Sequence, residues 1–132
     1  MSWFVDASAI VAIVGRENDW QILADRLDEE ETRIWSAFSF WESAVALTKR
    51  LERPLEETHP IVSAFGAFNR FELVSIGERE SELAIDAAAR YGKGTKHPAR
   101  LNMGDCFSYA CAKANGARLF YEGDDFAKTD LA

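Results

Sequence analysis

Four acidic positions stand at boundaries between predicted elements: Asp6 after the first strand, Glu42 early in the helix after the second, Asp105 at the start of the last helix, and Asp124 or Asp125 after the last strand. If such carboxylates share one rim of a fold, they repel one another. Each then holds its proton to higher pH, or the group takes up a cation. Mg²⁺ suits that need, because it binds hard oxygen ligands through one or two carboxylates plus waters and substrate phosphate. A pair of such ions roughly 4 Å apart clamps the attacking and leaving oxygens of a phosphodiester and acidifies a bound water. Every acid also has a plain structural reading. Asp6 is a good N-cap, Ser39-Phe40-Trp41-Glu42 matches a capping box, Asp105 complements a helix N-terminus, and Asp124 and Asp125 suit a Gly-containing turn.

Whether these acids meet depends on the elements that carry them. Trp3-Phe4-Val5 is apolar at consecutive positions, the pattern of a strand buried on both faces, and it stops at Asp6. Helices are predicted over 7–14, 17–27, about 39–51, 55–68, 81–91 and 104–114, with strands over 33–36, 72–76 and 118–121. Trp20, Leu23, Ala24 and Leu27 form a helical stripe. Trp41, Ala44, Val45 and Thr48 are read as the inward face of the third helix; Ile61, Val62, Phe65 and Phe68 are read as that of the fourth. Pro54 ends one helix, and Gly92 stops another. The alternation of strands and helices points to a three-layer α/β/α sandwich with a mainly parallel central sheet. In such a sheet the residues that follow each strand gather on one edge, which is where ligands bind.

The chain has 132 residues, the size of one domain spanning 1–132, and no repeat or linker divides it. A hydrophobic content of 48% marks it as globular rather than disordered. No apolar run approaches the roughly 20 residues of a membrane span, and Met1-Ser2-Trp3 lacks the basic start of a signal peptide, so a cytoplasmic location without membrane contact is expected. Cys106 and Cys111 fall five apart in one helix and read as small core residues. A net charge of −7 opposes nonspecific binding to nucleic acid through phosphates alone, and suits a basic protein partner. The one concentrated basic stretch lies in the loop 92–102, where Lys93, Lys96, His97 and Arg100 occur without an acid. His59 and His97 precede prolines and are read as surface residues.

Taken in order, Phe4-Val5-Asp6-Ala7-Ser8-Ala9, Glu42, Tyr91-Gly92-Lys93-Gly94, His97-Pro98-Ala99, Leu101-Asn102-Met103-Gly104-Asp105-Cys106, Gly123-Asp124-Asp125-Phe126 and Thr129-Asp130 resemble the PIN-domain ribonuclease toxins of VapBC toxin–antitoxin modules. The likeness runs nearly end to end. It implies an Mg²⁺- or Mn²⁺-dependent endoribonuclease, a homodimer, restrained by a VapB-type antitoxin that covers the acidic pocket. Carried across position by position, Asp6 and Asp105 become metal ligands, Glu42 the third acid and Asp124, in preference to Asp125, the fourth. Ser8 would support Asp6 or a bound water through its hydroxyl. Glu122 departs from the family, which often has a basic or neutral residue there, and adds negative charge beside the pocket. Two other readings compete. A phosphatase of the haloacid dehalogenase type requires an Asp two residues after Asp6, where this chain has Ser8. A catalytically silent PIN-fold module that binds protein or RNA would have less reason to keep all four acids.

Overall fold

The structure is a computed structural model that describes all residues, Met1–Ala132. Four strands, β1 (Ser2–Val5), β2 (Thr32–Ser36), β3 (Glu72–Val74) and β4 (Arg118–Phe120), alternate with six helices: α1 (Ala7–Val14), α2 (Trp20–Leu27), α3 (Ala37–Leu51), α4 (Leu55–Phe68), α5 (Glu78–Tyr91) and α6 (Met103–Ala114). All strand pairs are parallel, in the order β3-β2-β1-β4. This is the α/β architecture the sequence predicts.

β1 is the central strand, and its side chains divide the core in two. Phe4 packs with Ile34 and Leu119 under α5 and α6, while Trp3 and Val5 pack with Trp35 and Phe120 under α1 to α4. Phe4 and Val5 are both fully buried, so the apolar run of β1 reflects burial on two faces. Truncating Phe4 to Ala would cost about 3–5 kcal/mol. The order reverses at β1, since β2 pairs on one side of it and β4 on the other. The crevice beyond the carboxyl ends of β1 and β4 is the position where this topology opens to a ligand.

Local chemistry accounts for the departures from the predicted elements. α2 begins at Trp20 rather than Glu17, because Asp19 takes a left-handed conformation (φ 65°) that interrupts the helix before it. α3 begins at Ala37 and is capped by Ser36, with Ser39 completing the capping box, so the Ser39–Glu42 box does not form. Its buried face is Ser39, Ser43, Ala44 and Leu47, whereas Trp41 is 61% exposed and Val45 is also exposed. Buried hydroxyls conceal this face from a hydropathy reading. Ser43 donates to the Ser39 carbonyl at 2.7 Å, so it enters the core with its polar atom satisfied. In α4, Val62 is buried but Phe68 lies 88% exposed beyond the packed face. Cys106 and Cys111 are buried free thiols. No helix is long and apolar enough to cross a membrane.

Candidate active site

Asp6 ends β1 and starts α1. Its backbone N–H donates to the Phe120 carbonyl at 2.9 Å, tying it to β4 at the sheet's carboxyl edge. The side chain is buried, and both oxygens are engaged. Oδ2 accepts the Ser8 N–H at 3.0 Å, and Oδ1 accepts the Ser108 hydroxyl at 2.5 Å. The capping and pocket readings of Asp6 therefore coexist: one oxygen caps α1 while the carboxylate stands at the rim.

Asp105 arrives from the other side, at the third position of α6. A reciprocal capping box holds it: Asn102 Oδ1 accepts the Asp105 N–H at 2.9 Å, and Asp105 Oδ2 accepts the Asn102 N–H at 3.0 Å. Its Oδ1 makes no protein hydrogen bond. Burial and the charges of Asp125 and Asp6 push the carboxyl up to about 7, against the opposing pull of the Asn102 N–H and Lys93.

Glu42 lies in the second turn of α3, free of any cap. Its carboxylate rests against Gly104 of α6, so closely that a Cβ at that position would overlap it. Burial, followed by repulsion from Asp6 and then Asp105, raises Glu42 to about 7. Three acids separated by up to about a hundred positions in the chain thus share one rim and feel one another's charge.

In the turn 122–126 the acid whose charge weighs on Asp105 is Asp125. Asp124 and Asp125 are both exposed, and the Asp124 backbone carbonyl accepts the Ala127 N–H within the turn. Ser8 differs from expectation. Its hydroxyl accepts the Glu122 N–H at 3.0 Å, so it fastens the end of β4 to the start of α1 and serves Asp6 through its backbone N–H alone.

The donor set is entirely carboxylate oxygen, of the kind that Mg²⁺ and Mn²⁺ take. No three acid, His or Cys side chains already surround a single point. A site of one or two carboxylates completed by water needs no such cage, and the mutual repulsion of Asp6, Glu42 and Asp105 is the electrostatic condition that a cation relieves. The residues present fit a hard divalent ion.

The basic loop is pinned at its base, where Lys93 N–H donates to the Leu101 carbonyl and Leu101 N–H to that of Tyr91. Lys93 lies close enough to stabilise the ionised Asp105. Lys96 and Arg100 are exposed on the same loop, and none of the three forms an ion pair. His97 is half-buried rather than a surface residue: its Nδ1 accepts the Ala99 N–H, and its ring meets Tyr91 edge-on at 4.8 Å.

Three contributors escape a reading by residue type. Gly104 makes room for Glu42, and Ser108 holds Asp6; the only hint of the latter is its position three residues after Asp105, on the same helix face. Asp130 accepts hydrogen bonds from Lys113, Tyr109 and Tyr91, fastening the segment that follows the acidic turn to α5 and α6.

Residues 3–131 match the family model of the PIN domain. The chain is 38% identical to a VapC ribonuclease of Rhizobium meliloti (strain 1021), over 97% of this chain and 98% of that one. It is 37% identical to ribonuclease VapC42 of Mycobacterium tuberculosis (strain H37Rv), over 96% and 95% of the two chains. The crystal structure of Mycobacterium tuberculosis VapC20, described as a sarcin-ricin loop cleaving toxin, matches with a TM-score of 0.75 over 98% of this chain and 96% of that one. At 16% identity that likeness concerns the fold.

Proposed function

The chain belongs to the PIN-domain family and, within it, to the VapC ribonucleases, and from that premise we propose that it is a metal-dependent endoribonuclease, the toxin of a type II toxin–antitoxin pair. The observation that carries this reading is the meeting of Asp6, Glu42 and Asp105 at the carboxyl edge of the sheet, where the charges of Asp6 and Asp105 add to burial in raising Glu42, and that of Asp6 in raising Asp105.

Asp6 and Asp105 would hold Mg²⁺ or Mn²⁺, Asp105 through its free oxygen. When bound, the ion would neutralise developing charge on the phosphodiester and lower the pKa of the attacking water. Glu42, whose carboxylate lies against Gly104 beside Asp105, would order the attacking water and accept its proton. Asp125, rather than Asp124, supplies the fourth carboxylate. Lys93 holds the scissile region of the RNA backbone beside Asp105, with Lys96 and Arg100 further out on the loop.

As partners we propose an RNA substrate and a VapB-type antitoxin, whose basic groups would be drawn to the acid rim. A second copy of the chain is proposed on the exposed apolar face around Trp41, Leu55 and Leu73. The deciding experiment is RNA cleavage with Mg²⁺ or Mn²⁺ by the purified protein and by Asp6→Asn and Asp105→Asn. Loss of cleavage in both is expected, and full activity in either refutes the assigned roles.

A further inference from the structure

We propose that Ser108 is a positioning residue for the acid pocket, acting through Asp6; the proposal rests on Asp6 being a metal ligand. Ser108 lies on α6 among small apolar neighbours, Cys106, Ala110, Cys111 and Ala112, and is only 3% exposed. A hydroxyl at such a depth must find a partner or cost stability. A helical serine ordinarily turns back to the carbonyl four residues earlier, as Ser43 does to Ser39 in this same molecule. Ser108 instead points across to β1, where its Oγ donates to Asp6 Oδ1.

That bond has a geometric consequence. Ser8 N–H holds Oδ2 from the side of α1, and Ser108 holds Oδ1 from α6, so the carboxylate is gripped at both oxygens by two different elements. With both oxygens held, the carboxylate cannot rotate about its bond to Cβ, and the remaining lone pairs keep one direction. The same helix carries Asp105 one turn earlier. Ser108 thereby couples the placement of the two acids: where α6 sets Asp105, it also sets the orientation of Asp6. Groups that orient a metal ligand typically contribute about 10–100-fold to metal affinity.

The test is calorimetric titration of the metal-free full chain with MnCl₂, comparing wild type, Ser108→Ala, Ser108→Thr, Asp6→Asn and the double variant Asp6→Asn/Ser108→Ala. Ser108→Ala is expected to weaken Mn²⁺ binding about tenfold or more, with some loss of thermal stability in EDTA because the buried Asp6 Oδ1 loses its donor. Ser108→Thr, which keeps the hydroxyl, is expected to restore binding, and Ser108→Ala should add nothing in the Asp6→Asn background. If the alanine variant does not fold, Ser108→Cys, which keeps the volume but donates weakly, takes its place with the same expectation. Wild-type Mn²⁺ affinity in Ser108→Ala, with affinity lost in Asp6→Asn, overturns the positioning role and leaves the pocket standing. Wild-type affinity in Asp6→Asn overturns both.

Discussion

The carboxylate of Glu42 lies directly over the Cα of Gly104, with no room for even a methyl group between α3 and α6. Gly104→Ala should therefore displace Glu42 while sparing the fold, because the colliding atoms are the mobile end of a side chain and alanine favours the helix by about 1 kcal/mol. RNA cleavage should fall on the order of 10–100-fold with a melting temperature near wild type. Unchanged cleavage would remove Glu42 from the mechanism.

The raised carboxyls imply a pH dependence of the metal-free protein. Glu42 and Asp105 titrate near 7 when folded, against ordinary values of 4.5 and 3.8. The folded state therefore holds extra protons between those limits. The stability this contributes is complete below about pH 4 and is lost as pH rises through about 7. Urea unfolding in EDTA should show these groups opposing stability at pH 8 relative to pH 5. Saturating Mn²⁺ should reduce or reverse that trend, since binding to the folded state at a hundredfold excess over Kd adds about 2.7 kcal/mol.

Asp130 works in the opposite sense. Burial tends to raise its carboxyl, but hydrogen bonds from Lys113 and Tyr109 prevail and bring it down to about 2. Its contribution is present above pH 3.8 and disappears as pH falls toward about 2. Asp130→Ala should cost about 1 kcal/mol, the modest figure appropriate to a partly exposed pair, and should loosen the acidic turn. Faster amide exchange at Phe126 and Thr129 would report it; unchanged exchange there would deny the clasp a role in holding the turn.

Among the basic residues of the loop, Lys93 is the one whose charge acts on Asp105, whereas Lys96 and Arg100 are placed only by the loop. Lys93→Ala should weaken binding of a single-stranded RNA and lower the slope of log affinity against log salt by about 0.7. Tested in a cleavage-dead Asp105→Asn background, equal salt slopes with and without Lys93 would exclude a phosphate contact.

Much of the fold was legible because it follows from short-range pattern. Trp3-Phe4-Val5 reads as a doubly covered strand, and Asp6 follows it at the carboxyl edge of the sheet. The inward face of α3 was not legible: Ser39 and Ser43 look polar in sequence, yet they are buried because the cap and the helix carbonyls absorb their hydroxyls. Asp124 and Asp125 are equivalent as letters, and only the folded turn brings the charge of Asp125 to bear on Asp105.

By itself, the order of residues determined which elements form, that the sheet is mainly parallel, and that acids stand near the starts and ends of its elements, since periodicity, capping and turn chemistry all act within a few positions. The tertiary structure alone decided that Glu42 lies on Gly104 and that Ser108 reaches Asp6 across 102 positions. Such contacts depend on how α3 and α6 seat on opposite sides of β1, and that is a matter of packing between elements rather than of pattern within them.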